Sequence, residues 1–299
     1  FKVFKSVLVS FSKQVDKVGE SFGVMGSQNL AQGFIDARPE AVKLGMDVED
    51  LVNITSVLST EFGMAIDKAS GLSLKIADSS KAMGLSVDLG AKLFGMFMKL
   101  GGLSADQAEN LAESTYQLAV ANKVNPNAVM KEIANNTEFF AKFAKEGGKN
   151  IQQAAVQAVK LGISLDTVGG IAEGLLDFQN SLNKEIETQI LLGRNLNLQR
   201  ARELALSGDH SAMMSEILKQ LGGEAEWNKL NFIQRKAMSE LLNVDVTTMN
   251  KLVKGQGDLS VKAKSFTDIM GKDAMSDLTA ILNKFKEMSA EIVKRLGPT

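Results

Sequence analysis

A hydrophobic residue followed by a helix-capping residue recurs along this chain. It stands at Met46-Asp47, Leu85-Ser86, Val124-Asn125, Ile163-Ser164, Leu206-Ser207 and Val244-Asp245. The capping residues are 39, 39, 39, 43 and 38 residues apart in turn. Each pair reads as a helix start: the small polar side chain takes an orphan backbone N–H, and the apolar residue before it folds back on the first turn. Gly45, Gly84, Gly162 and Asn243 stand just before these pairs, where a helix closes in the left-handed conformation. Two copies are close in wording, AVKLGMDVEDL at 41–51 and AVKLGISLDTV at 158–168. Common cap chemistry recurs in any helical protein, but these two copies favour true repetition. The period predicts an array of helix-pair modules of about 40 residues, each too small to bury its own apolar face alone.

Composition agrees. The 299 residues are rich in Ala, Leu, Lys, Glu, Gln and Met and hold three prolines, one tryptophan and one tyrosine. Those are helix formers with few breakers, so the expected fold is all-α, with long amphipathic helices and no sheet. The periodicity places helices over 2–22, 28–44, 48–82, 87–100, 105–122, 127–145, 151–161, 165–192, 198–206, 210–221, 231–242, 246–254 and 273–296. Joints are expected at Gly101-Gly102, Gly147-Gly148, Gly222-Gly223 and Gly255-Gln256-Gly257. The chain divides accordingly into an N-terminal helical segment (1–40), repeated helical modules (41–254), a polar linker (255–272) and a C-terminal helix (273–299).

The longest expected helix, 165–192, carries Ile171, Leu175, Phe178, Leu182, Ile186 and Ile190 in steps of three and four. That is one apolar stripe along a continuous strut, broadened by Leu176 and Leu191. Its mean step, about 3.8, is wider than the 3.5 of a heptad seam, so the strut suits a multi-helix bundle rather than a regular coiled coil.

Several function classes are excluded or left without residues to carry them. A net charge of −1 argues against a non-specific nucleic-acid binder. With no cysteine and one histidine, a soft-metal site has no ligand set. His210 has Asp209, Ser207 and Ser211 beside it, but neighbours at a helix start are cap chemistry, not a catalytic triad. Glu185 and Glu187, like Glu224 and Glu226, are two apart and point in different directions on a helix. Glu173 and Asp177 share a face that reads as a solvated flank. The arginines Arg194, Arg200 and Arg202 read as helix surface charge, and Trp227 as an anchor for helix 231–242. The clusters Phe94, Phe97 and Phe139, Phe140, Phe143 read as core filling. No nucleotide-binding glycine motif is present. The expectation is therefore no catalytic residue, no cofactor and no metal. Lys2, Lys5, Lys13 and Lys17 interrupt the apolar core that a signal peptide needs. Asp88, Lys92 and Lys99 likewise interrupt the most hydrophobic stretch, 82–103, as a membrane span would not tolerate. The chain starts at Phe1 rather than Met, as a segment of a longer polypeptide would.

The run ILLGRNLNLQRARELALSGD at 190–209, with LLDFQNSLNKEIE before it and QLGGEAEWNKLNFIQRKAMSELLNV after it, resembles tail tape-measure proteins of tailed bacteriophages. NKVNPNAVMKEIANNTEFFAKFAKEGGKNI at 122–151 is similar to the same family. The resemblance covers roughly 40–255 and carries no catalytic signature. It implies a mostly helical structural protein that sets tail length, occupies the tail tube or baseplate hub of the virion, and is ejected ahead of the DNA. The partners it implies are tail-tube and baseplate-hub proteins and further copies of the chain around a threefold axis. It implies no specific nucleic acid, and the membrane-spanning segments of many members are missing here. Glycine joints and short modules would shorten a helical ruler, so the segment reads as an end region. Two other readings stay open: a helical-repeat protein-binding module, and a membrane-active helical protein, which the charge-interrupted apolar runs disfavour.

Overall fold

A computed structural model describes residues 45–254 continuously, together with Phe34, Ala37, Pro39, Ala41 and Lys43 before them. By its contacts the chain divides between Leu259 and Ser260, and every described residue belongs to the first unit. The expected segments 1–22, 255–272 and 273–299 lie outside the described residues, as does most of 28–44.

Among the described residues the fold is all-α, with fourteen α-helices and no strand. In chain order they are α1 (Val48–Thr60), α2 (Ile66–Ala82), α3 (Val87–Lys99), α4 (Ala105–Ala121), α5 (Pro126–Asn135), α6 (Thr137–Phe143) and α7 (Lys149–Leu161), which a short 3-10 turn (Glu146–Gly148) precedes. There follow α8 (Leu165–Leu176), α9 (Phe178–Leu192), α10 (Gln199–Ser207), α11 (His210–Leu221), α12 (Glu224–Trp227), α13 (Phe232–Leu241) and α14 (Val246–Lys254).

The repeat is visible in backbone geometry. Gly45, Gly84, Lys123, Gly162, Gly208 and Asn243 all have positive φ, between 55° and 77°. One residue further on, the backbone N–H reaches back five residues: Met46 to Ala41, Leu85 to Ser80, Val124 to Ala119, Ile163 to Ala158, Asp209 to Leu204 and Val244 to Ser239, at 2.8–3.0 Å. That is a Schellman closure. The next helix is capped at once by the side chains of Asp47, Ser86, Asn125, Ser164, Asp209 and Asp245. One helix thus ends and the next begins within about three residues, which fixes the angle between successive modules. The carbonyl that receives the reaching bond belongs to a small, buried residue in five of the six closures, since the incoming chain lies over it.

Burial follows the same period. Phe34, Ser73, Ala112 and Ile151, spaced by 39, are all buried, and so are Ala41, Ser80, Ala119 and Ala158. Helices α1 and α2 pack on each other and on α3; α3 and α4 pack on α5; α4 and α5 pack on α7; α7 packs on α8 and α11. Polar clamps cross the junctions. Glu109 on α4 accepts from Ser79 Oγ on α2 at 2.6 Å, and that hydroxyl, with Lys75 behind it, holds the Glu109 carboxyl below its ordinary pKa. Gln152 Nε2 on α7 donates to Leu111 O and Thr115 Oγ1 on α4 at 2.9 and 2.7 Å. The Glu132 carboxylate accepts from Leu165 N, the first residue of α8, at 2.7 Å.

Lys123 stands where three other closures of the regular series have glycine, at φ 59°. Lys123→Gly is expected to stabilise the fold by roughly 0.5–1 kcal/mol, because the left-handed conformation costs a side chain more than it costs glycine. Gly84→Ala should do the reverse by a similar amount. Nothing lies within 4 Å of the added methyl, so backbone strain alone acts there. Urea unfolding followed by far-UV circular dichroism measures both signs.

Four sequence expectations are corrected. The segment 48–82 is two helices, broken around Gly63 at φ 61°. The segment 127–145 breaks at Asn136, whose φ of −115° and ψ of 55° are not helical. Ser207 is the last residue of α10, not a cap; Asp209, one residue past Gly208, caps α11. The strut 165–192 breaks at Asp177, where ψ swings to 75° and the carboxylate caps the following helix through Asn180 N. An aspartate in mid-pattern offers local side-chain bonds that compete with the helical ladder.

Candidate interaction surface

The break at Asp177 re-aims everything after it. Ile171 and Leu175, on α8, are buried as the stripe predicts. Phe178, Leu182, Ile186 and Ile190, on α9, are instead 49%, 45%, 56% and 75% exposed. The side of α9 turned into the protein is polar: Ser181, Glu185 and Thr188. On a helical wheel the two sets lie roughly a third of a turn apart, so α9 has two distinct faces and the greasy one faces out.

What holds the polar face inward is Arg202, on α10, with a side chain only 2% exposed. Its Nη2 lies 2.5 Å from Glu185 Oε2, and Nη2 and Nε donate to Ser181 Oγ at 2.9 and 3.0 Å. Glu185 Oε1 also accepts from Leu198 N at 3.4 Å. A buried guanidinium needs a carboxylate and further acceptors, and α9 supplies both one turn apart. The expectation of surface charge is therefore wrong for Arg202. It holds for Arg200, which pairs with Glu203 in solvent, while Arg194 donates to Leu221 O at 2.8 Å.

A second apolar group adjoins the C-terminal end of α9. Leu191, Phe232 and Ile233 are exposed, and Gln234 Nε2 donates to Leu191 O at 2.9 Å, which seats the first turn of α13 beside the last turn of α9. At about 200 Å² per large apolar residue, the α9 stripe exposes roughly 450 Å². A typical monomer's largest patch is about 300–600 Å².

The other residues weighed from sequence are not brought into a reactive constellation. His210 is wholly buried, set edge-on against Phe143 and Phe139 with ring centroids 4.5 and 5.3 Å away, and neither ring nitrogen has a hydrogen-bond partner. Ser207 Oγ donates to Leu204 O at 2.9 Å, and Asp209 caps α11 through Ala212 N at 3.0 Å. Glu173 pairs with Lys142, which Glu138 and then Glu173 hold above its ordinary pKa. Glu185 is buried while Glu187 is exposed, so the two do not face each other. Glu224 and Glu226 lie toward different cations, Lys254 at 3.6 Å and Arg194 at 3.8 Å. Trp227 is buried with Arg235 of α13 over its ring at 5.4 Å, as expected of an anchor. Phe97 and Phe140 meet in the core at 5.8 Å. Among the described residues no group of three or more acidic or histidine side chains is placed to hold a metal ion. None of their helices is long and apolar enough to cross a membrane.

Burial is what chiefly pushes the His210 pKa below its ordinary 6.5; the Gly208 backbone and Asp209 oppose this, and Lys145 adds to it. As pH falls, the unfolded chain takes up this proton before the folded chain does. The contribution to stability is therefore complete above about 6.5 and declines as pH drops from there toward the folded pKa. Melting temperature measured against pH should show that slope in the parent chain, and His210→Phe should flatten it.

No family model, curated protein or solved structure matches the chain.

Proposed function

We propose that this chain is a structural assembly protein rather than a catalyst, and that it is a segment of a tail tape-measure protein of a tailed bacteriophage. In that role it occupies the tail tube or baseplate hub, helps to set tail length and leaves before the DNA. The observation that carries the assembly reading is the exposed apolar side of α9, formed by Phe178, Leu182, Ile186 and Ile190. Apolar area of that size on a folded surface is what protein association uses. The tape-measure reading rests on the wording of 122–151 and 190–209 and on the all-α architecture.

Packing restricts which part of such a protein this would be. A continuous helix of 39 residues extends about 58 Å at 1.5 Å per residue, whereas a stacked helix layer adds only about 10 Å. Residues 45–254 therefore suit an anchoring end, held by tube or hub proteins, and not the ruler shaft. The 39-residue stacking also favours a second reading, a helical-repeat module that grips one protein partner.

Co-expression of the full chain with the tail-tube and baseplate-hub proteins of the same phage separates the two. A stoichiometric complex with either, seen by size-exclusion chromatography with light scattering, is the expected result. No association with any tail component would remove the tape-measure reading and leave the repeat module.

A further inference from the structure

We infer that His210 makes the joint between α10 and α11 an acid-released latch: a proton on its imidazole frees the joint from α6 while the other closures of the array stay shut. The inference goes beyond the assembly reading and does not depend on what the chain binds. A wholly buried imidazole with no acceptor, set where one helix hands over to the next, carries it.

Packing alone holds the ring. Phe139 and Phe143 of α6 stand edge-on to it at 5.3 and 4.5 Å. Gly169 of α8 is seated against the same two rings, where a Cβ would come within 3.0 Å of Phe139 and 3.4 Å of Phe143. A neutral imidazole fills this box much as a third aromatic ring would. Protonated, it carries two donors and a charge with nothing to receive them. An aromatic face attracts a cation, but less than the water that burial removes.

The nearby acceptors are already engaged. Ser207 O accepts from Lys145 Nζ at 2.6 Å, while Gly208 O and Phe143 O accept from Asn150 Nδ2 at 3.2 and 2.8 Å. Charge does not rescue the cation. Among the described residues Asp209 is the one carboxylate that acts on the ring, Lys145 opposes it, and Asp209 is occupied in capping Ala212 N at 3.0 Å. Around them, Lys142 of α6 lies between Glu138 and Glu173 of α8 at 2.8 and 3.0 Å. Before α7, Glu146 and Lys149 approach to 4.0 Å, on α10 Arg200 pairs with Glu203, and on α11 Glu216 pairs with Lys219. Lys251 of α14 donates to Gly162 O at 3.1 Å. Release of the joint returns the imidazolium to water, and the bonds that part are those of Lys145 and Asn150 to Ser207 O and Gly208 O.

The open joint takes up its proton as a free histidine does, at 6.5, and the closed joint only at lower pH. Linkage then gives the direction and the size: opening grows by at most about tenfold per pH unit below that value, or roughly 10–30-fold at about pH 5. No other side-chain type ordinarily titrates between about pH 5 and 7.5. Hydrogen exchange of the full chain at those two pH values, corrected for the intrinsic rate and followed by mass spectrometry, reads the factor. Amides of 143–150 and 204–214 should open roughly 10–30-fold more often at the lower pH. The closures at Leu85 and Val124 have the same backbone geometry without a histidine, and should not change. His210 is the only histidine, so its imidazole resonance stands alone in NMR, and it should titrate below 6.5. His210→Phe keeps a ring in the box and should remove the pH response of the joint; circular dichroism checks that it folds, and the readings on the parent stand without it. The inference is overturned if His210 titrates at 6.5 or above, or if the joint exchanges alike at both pH values. Equal loss of protection at Leu85 and Val124, or a pH response that survives in a folded His210→Phe chain, would overturn it as well.

Discussion

Arg202→Ala is expected to lower the unfolding free energy by about 3–5 kcal/mol, the cost of leaving one partner of a buried ion pair alone. The truncation removes the cation that faces Glu185 and both donors to Ser181 Oγ, while Glu185 stays under α10 with a side chain only 10% exposed. Glu185→Gln should cost a comparable amount: the amide can still accept from the guanidinium and from Leu198 N, but the buried cation, which cannot deprotonate, loses its counter-charge. The double variant Arg202→Met, Glu185→Leu should recover most of the loss, because an apolar pair of similar volume carries no desolvation penalty. That recovery should come with a change in behaviour. Without the pair, nothing reserves the inner side of α9 for polar residues, and the competing stripe is free to roll inward. Urea unfolding followed by circular dichroism ranks the three variants. Light scattering on the double variant shows whether association falls even though stability returns. An Arg202→Ala chain as stable as the parent would mean that the pair does not hold α9 in place.

Phe140→Ala should cost a similar amount, about 3–5 kcal/mol for an aromatic removed from a packed core. Phe140 on α6 is wholly buried, meets Phe97 of α3 at 5.8 Å, and fills the space up to the turn at Gly148, where a Cβ would sit 2.5 Å from its ring. It lies where the second module meets the third. In an array, stability is close to a sum of module terms and junction terms, so weakening one junction uncouples the two sides. Trp227, the only tryptophan, lies C-terminal to this junction and reports on that side. Far-UV circular dichroism reports on every helix. The two urea transitions should coincide in the parent and separate in Phe140→Ala, with the Trp227 signal keeping the sharper curve. Coincident transitions in the variant would show that the array unfolds as one cooperative block despite the cavity.

Most of the array could be read from the residues because its devices are local. A cap bonds two or three residues ahead, and a Schellman closure reaches five back. Asp47, Ser86, Asn125 and Ser164 are therefore written into the chain at their 39-residue spacing, as are the glycine joints at 101–102, 147–148 and 222–223. The misplaced cap at Ser207 belongs to the same local chemistry: Gly208 closes α10 and Asp209 does the work of both staple position and cap. The breaks at Gly63, Asn136 and Asp177 carry no comparable local mark, since one small or polar residue inside an apolar period is also common within unbroken helices.

The candidate site was legible as residues but not as a surface. From Phe178 to Leu192 the sequence carries two self-consistent helical faces, one apolar through Phe178, Leu182, Ile186 and Ile190, one polar through Ser181, Glu185 and Thr188. Periodicity fixes both and ranks the apolar one as the buried one, because water usually decides. Here the deciding group is Arg202, which comes from another helix and needs Glu185 and Ser181 to be buried at all. His210 follows the same logic, its burial set by Phe139 and Phe143 from a helix some seventy residues earlier in the chain. Local chemistry thus determined where helices start, stop and repeat. Which side of α9 meets solvent was a competition between distant groups, and only the tertiary structure decided it.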